Sequence, residues 1–267
     1  MSKLEHTLTN DLLFKMFFRD YPGLLKRAVA GMLYIAPDSI ERVIITNPDI
    51  PPNMMKEKFC RLDIVMKVDG RLINLEMQVA NECDYPERSL YHWARLFSSG
   101  LSAGDNYSEL PLTITINIVA FTLFDCDEFY SEFRPLEVTR SALLTDKQCI
   151  CYFELPKLPE VVDGNNELKL WLALFNAKTE EELVNLKNIG GNIMSQAITA
   201  YRHVSASGEF RELERQRERA RHNEASALAY ERRKESEKWQ SVVAEKDAAI
   251  AEQATLIEKL KAQIEKK

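Results

Sequence analysis

The chain has 267 residues, with 41 acidic against 35 basic side chains for a net charge of −6, and 45% of its residues are hydrophobic. That length holds one substantial domain plus an appendage, and the composition excludes global disorder. It also excludes a protein that is basic throughout, so any nucleic-acid role needs positive potential concentrated in one cleft.

In the opening MSKLEHTLTNDLLFKMFF, Asp11 and Lys15 interrupt the apolar residues, so neither a secretory leader nor a membrane span is expected, and the expected location is cytoplasmic. Thr9 or Asn10 caps a helix whose stripe is Leu13, Phe14, Phe17 and Phe18. Tyr21-Pro22-Gly23 interrupts it, and a second helix follows with Leu24, Leu25, Ala28, Val29, Met32 and Leu33, ending near Pro37. Arg42 to Thr46 is a short β-branched strand, and Pro48, Pro51 and Pro52 mark a loop. Two strands, Arg61 to Val68 and Leu72 to Val79, flank Asp69-Gly70 and pair as a tight hairpin. In the second strand Asn74, Glu76 and Gln78 alternate with apolar residues and so share one face. Pro86 to Leu101 is helical, closing by Gly104. Leu112 to Phe121 is a strand buried on both faces, and Ile150 to Glu154 is another strand. Pro156 and Pro159 precede a helical segment from about Glu167 to His203.

From Gly208 the chain turns to Arg, Glu, Lys, Gln and Ala without proline, the pattern of a long solvated helix. Its end fits a heptad frame with Val243, Ile250, Ile257 and Ile264 at a, and Trp239, Lys246, Gln253 and Leu260 at d. A self-associating coiled coil is expected there. Arg211, Arg215, Arg217, Arg219 and Arg221 interleave with Glu212, Glu214 and Glu218, which favours a salt-bridged helix over a DNA-binding arm.

Five cysteines (Cys60, Cys83, Cys126, Cys149, Cys151) are odd in number and contain no C-x-x-C pair, and the four histidines are scattered. This argues against a disulfide framework or a zinc knuckle and for reduced thiols used as core residues, with any metal held by oxygen. The hairpin offers the oxygens. Asp63 and Glu76 lie on its two strands, near one another across the ladder. Two carboxylates that close repel unless a cation lies between them, and Mg²⁺ accepts such a pair while keeping waters for a phosphate substrate. On spacing alone, an ordinary solvated strand face is the better reading.

The run RLDIVMKVDGRLINLEMQVANECDYPERSLYHWARLFSSGLSAGDNYSELPLTITINIVAFTLF, with TNDLLFKMFFRD before it and LTDKQCICYFELPKL after it, resembles the Rpn family of recombination-promoting nucleases and transposases. That family is a branch of the PD-(D/E)xK superfamily. The resemblance implies an α/β, restriction-endonuclease-like core with a mixed central sheet and Mg²⁺-dependent DNA endonuclease activity, with Mn²⁺ as an alternative ion. Asp63 and Glu76 would be the metal ligands, with the Met77 carbonyl as a third oxygen, and Gln78 stands where the superfamily usually has lysine. Glutamine carries no charge at neutral pH and orients water or phosphate only through hydrogen bonds. The missing positive charge would come from either Lys15 or Lys67, each of which is otherwise a solvated lysine. Asp11, in the shared N-terminal motif, either reaches the metal through water or is a helix-start charge. Arg88 and Tyr91 match the motif of the helix after the hairpin. Arg88 either contacts DNA phosphate or pairs with Glu87 or Asp84, and Tyr107 is expected to pack.

The expected organisation is a nuclease domain over 1–158, a helical extension over 159–207, and a charged helix ending in a homo-oligomeric coiled coil over 208–267. The rival reading is a catalytically impaired DNA-binding or protein-interaction module on the same fold. A transposase with widely spaced acids is disfavoured, because the clearest acids lie on one hairpin and no helix-turn-helix is evident.

Overall fold

The structure is a computed structural model that describes residues 2–40, 43–46, 49–50, 60–61, 63–81 and 83–264. The expected loop prolines Pro48, Pro51 and Pro52 lie outside the described residues.

Helix α1 (Asp11–Asp20) begins where the Asn10 side chain accepts the Leu13 N–H at 3.0 Å, and it buries Leu13, Phe14, Met16, Phe17 and Phe18. Tyr21 ends it and Pro22, whose missing N–H costs nothing in a first turn, starts α2 (Pro22–Met32). Strand β1 (Val43–Thr46) follows, then two short strands, β2 (Asp49–Ile50) and β3 (Cys60–Arg61), that pair with each other. The hairpin is β4 (Ile64–Val68) and β5 (Arg71–Gln78). Asp69 and Gly70 both have positive φ, 48° and 78°, as a two-residue turn between right-twisted strands demands.

The first hairpin strand is not continuous from Arg61. Cys60 and Arg61 pair with β2, and regular pairing with β5 starts at Ile64. The reason lies at Asp63, whose carboxylate takes the Met77 N–H at 2.9 Å just beyond the last ladder pair, Ile64 with Leu75.

Helix α3 (Tyr85–Ser98) leads to β6 (Thr113–Val119), every residue of which is buried. Strand β7 (Tyr130–Phe133) is short, half exposed and unanticipated from the sequence; pairing on β8 (Gln148–Glu154) makes it a strand. Helices α4 (Glu167–Asn176), α5 (Glu180–Ile189) and α6 (Gly191–Ser205) follow.

Six strands form one mixed sheet in the order β1-β4-β5-β6-β8-β7. Strands β5, β6 and β8 run parallel, and β1, β4 and β7 join antiparallel. In register, Leu75, Ile116 and Cys151 form one row across the sheet, and Glu76, Asn117 and Tyr152 form the next. Adjacent rows point to opposite faces. Helix α3 covers the Glu76 face, where Leu96 packs on Val65 and Leu72, and Tyr85 packs with Val119, Ile150 and Tyr152. On the other face Leu75, Ile116 and Ile118 are fully buried, each worth about 1.5–3 kcal/mol of apolar burial. Helix α2 packs on α4 and α1 on α6, with Phe14 and Phe18 edge-on to Phe175.

The chain divides into two compact units, Met1–Phe210 and Arg211–Lys267. Helix α7 (Gly208–Ile264) runs for 57 residues. Along it Arg215 pairs with Glu212 and Arg221 with Glu214, while Trp239, Val243, Ile250 and Ile257 are each more than half exposed. Among the described residues no helix is long and apolar enough to cross a membrane.

Candidate active site

The hairpin aligns two carboxylates at the end away from its turn. Ile64 pairs with Leu75, so one further step along both strands places Asp63 beside Glu76. Asp63 sits in the bend before β4, where its Oδ2 accepts the Met77 N–H at 2.9 Å and its Oδ1 lies 2.9 Å from Lys15 Nζ on α1. Burial pushes the Asp63 carboxyl above its ordinary value; Lys15 pulls it down and Glu76 pushes it up again. The ionised form of Asp63 is therefore less favoured here than in water.

Glu76 is 4% exposed, in the middle of the sheet. Its Oε1 accepts Asn74 Nδ2 at 2.7 Å and lies 2.8 Å from His92 Nδ1 on α3. Asn117 on β6 is its register partner and is fixed in turn, accepting the Tyr85 hydroxyl at 3.0 Å and donating to the Cys151 carbonyl. Burial and the nearby Glu76 charge keep the Tyr85 hydroxyl protonated, its value pushed well above the ordinary one. Tyr152, in the same row, bonds Ser89 of α3. The polar row is thus held by hydrogen bonds in a region otherwise packed with apolar groups, as buried polar side chains require.

Gln78 closes the row. Its Oε1 accepts Arg88 Nη2 at 2.8 Å and its Nε2 donates to the Ala80 carbonyl at 3.0 Å. The Arg88 guanidinium also lies 5.2 Å over the Tyr85 ring. Gln78 is neutral, yet it holds a permanent positive charge against its oxygen.

Lys15, Asp63, Met77, Glu76, Gln78 and Arg88 are therefore linked by direct contacts or by strand neighbourhood. Asp11 opens α1 one turn ahead of Lys15, on the same side of the helix. Lys67 is not brought to this group. It faces solvent opposite Leu72 near the hairpin turn, four residues from Asp63 and so about 13 Å along the strand. Tyr107 does not pack: it is 82% exposed in a 3₁₀ turn.

His92 and Asn117 join the same hydrogen-bonded group, with Asn74 of the polar strand face, and neither His92 nor Asn117 is singled out by the sequence reading. The signal for His92 was available, because Tyr85, Arg88, Ser89, His92 and Leu96 recur at helical spacing and mark one inward face of α3. Asn117 had a weaker signal, a lone amide inside the apolar run LTITINIVAF.

A mixed sheet with a hairpin bearing an acid before one strand and Glu-x-Gln on the next, covered by helices, is consistent with the PD-(D/E)XK nuclease fold. The family model described as a PD-(D/E)XK nuclease family transposase matches residues 8–231, and the chain belongs to that family. Nucleases of this class generally use divalent metals, and the family implies a DNA substrate. No curated protein and no solved structure matches the chain.

Proposed function

We propose that the protein is a Mg²⁺-dependent DNA endonuclease that hydrolyses phosphodiester bonds, with Asp63 and Glu76 as metal ligands. The observation that carries this is the pair of carboxylates at the open end of one hairpin, Glu76 buried and Asp63 one strand step beside it. The donor set fits a hard ion. Each carboxylate oxygen has two lone pairs, so Asp63 can keep its Met77 and Lys15 contacts and still coordinate. Both hydrogen-bonding contacts of Glu76 fall on Oε1, which leaves Oε2 as its coordinating oxygen among the described residues. The Met77 C=O leaves β5 on the same side as the N–H that binds Asp63, past the end of the ladder with β4, and so is the natural third oxygen.

Mg²⁺ held by Asp63 and Glu76 would make a coordinated water easier to deprotonate for attack and would neutralise charge on the phosphate oxygens. The chain's own residues do the rest. Gln78 Nε2 donates a hydrogen bond to the attacking water or the phosphate once it leaves Ala80, and Arg88 holds its amide in orientation. Lys15 supplies the positive charge that the Glu-x-Gln pattern lacks, moving from Asp63 toward the phosphate as the site fills. His92 fixes Glu76 and is a positioning residue.

The test is supercoiled plasmid incubated with the full chain in Mg²⁺, Mn²⁺, Ca²⁺ or chelator. Nicking is expected in Mg²⁺ and Mn²⁺, little in Ca²⁺, none in chelator, and far less with Glu76→Ala. DNA binding without any cleavage would instead identify a binding module on a nuclease fold. We also place homo-oligomerisation on α7, whose Val243, Ile250 and Ile257 recur every seven residues and are exposed in the single chain. Ile250→Lys should lower the sedimenting mass to that of one chain, whereas a chain that is monomeric before the substitution removes the coiled coil.

A further inference from the structure

A second group of metal-ligating side chains lies on the opposite face of the sheet from Glu76. Cys149 and Cys151 are alternate residues of β8, so their thiols project to the same side, with Sγ atoms 3.4 Å apart. Glu132 on β7 is the register partner of Cys151. One carboxylate oxygen of Glu132 and the two sulfurs all lie within 4.8 Å of one another. Tyr130, two residues before Glu132, brings its hydroxyl to 2.5 Å from Glu132 Oε2 and 3.6 Å from Cys151 Sγ. Arg134 holds the other oxygen, Glu132 Oε1, at 2.5 Å.

Two chemistries suit a close thiol pair, a disulfide or a shared soft cation. Alternate residues of a strand have Cα atoms about 6.7 Å apart, at the upper limit of what a disulfide spans, and the strand cannot shorten while it is paired on both sides. A cation needs no shortening. Two thiolates each about 2.3 Å from a tetrahedral ion stand about 3.8 Å apart, close to the observed separation. Both sulfurs are buried, while Glu132 faces solvent and gives an ion a way in.

We infer that Cys149, Cys151 and Glu132 form a binding site for a thiophilic divalent cation such as Zn²⁺, with Tyr130 or a water completing a tetrahedron. Coordination replaces the Tyr130 hydrogen bond at Glu132 Oε2 and releases the two thiol protons, and Arg134 keeps Glu132 Oε1. The ion would tie edge strand β7 to β8, a structural role separate from the hydrolytic site.

The experiment is titration of the reduced, metal-free full chain with Co²⁺, followed by Zn²⁺. The expected result is a sulfur-to-cobalt charge-transfer band and tetrahedral visible bands, saturating at one equivalent and bleached by Zn²⁺. The variant with Cys60→Ser, Cys83→Ser and Cys126→Ser retains only the β8 pair of thiols and should give the same spectrum. Replacing Cys149 and Cys151 together by Ser should abolish it, and Glu132→Gln should weaken binding while keeping the sulfur band. No sulfur band in the wild-type chain, or its loss in the three-serine variant, overturns the site. Should the Cys149/Cys151 double variant fail to fold, the three-serine spectrum decides alone.

Discussion

The two faces of the central sheet carry opposite kinds of donor. On the α3 face, Glu76, Asn117 and Tyr152 form a row of oxygen-bearing side chains, with Gln78 and Asn74 one alternate position away on β5. One step along each strand, the row is Leu75, Ile116 and Cys151, apolar until it reaches the thiols, with Glu132 opposite on β7. Strand pleating puts the proposed hard-cation site, on β4 and β5, and the proposed soft-cation site, on β7 and β8, on opposite faces of one sheet. What differs is support. Glu76 is held by Asn74 and His92 and backed by a hydrogen-bonded amide, whereas the thiols hold mainly each other.

Glu76 separates the two faces most decisively. Glu76→Ala should lower plasmid cleavage by about 10³-fold, since Lewis-acid stabilisation by a bound metal is worth several kcal/mol. It should leave the cobalt–thiolate spectrum intact, and loss of both readouts would mean the sheet had failed rather than the site. His92→Ala should cost about 10–100-fold, seen as a shift to higher Mg²⁺ requirement rather than as lost DNA binding. An unchanged Mg²⁺ midpoint would remove His92 from the positioning role.

Gly70→Ala tests the turn. No atom lies within 4 Å of an added Cβ, so the cost is the positive φ alone, about 1 kcal/mol in urea unfolding. Mg²⁺ affinity should weaken with it, while the β8 thiol site, which does not depend on that hairpin, should not. The smallest effect is expected from Asp63→Asn in chelator. Because the Asp63 carboxyl is raised in the folded chain, its stabilising contribution is present in acid and lost as pH rises through the folded value. At neutral pH the ionised group is a liability, so Asp63→Asn should slightly raise the melting temperature there and not in acid. Mg²⁺ should reverse the order by stabilising only the wild-type chain. A lower melting temperature for Asp63→Asn at neutral pH in chelator would show that Lys15 already compensates the charge in full.

Much of this arrangement was legible in the residues. The Asp69-Gly70 turn fixed the hairpin, alternation put Asn74, Glu76 and Gln78 on one face, and the unbroken apolar run marked the fully buried β6. Strand β7 was not legible, because YSEF becomes a strand only through its pairing on β8. Lys67 shares strand parity with Asp63, but parity fixes a face and not a position along it; Lys15, distant in sequence, arrives through helix packing. The Cys149–Cys151 pairing was hidden for a related reason. A search for C-x-x-C looks for turns, whereas C-x-C on a strand is the spacing that puts two thiols side by side.

The turn at Asp69 and Gly70 also has a kinetic consequence. Asp63 and Glu76 are 13 residues apart in the chain and joined by the shortest kind of strand connection, so closing that loop costs little chain entropy and proceeds in microseconds. Asn117 and Tyr152, which complete the row, arrive only after two long parallel crossovers, the slow class of pairing. A nascent chain would therefore bring its two acids together well before it completes the row, and divalent ions present during refolding should speed the first step more than the last.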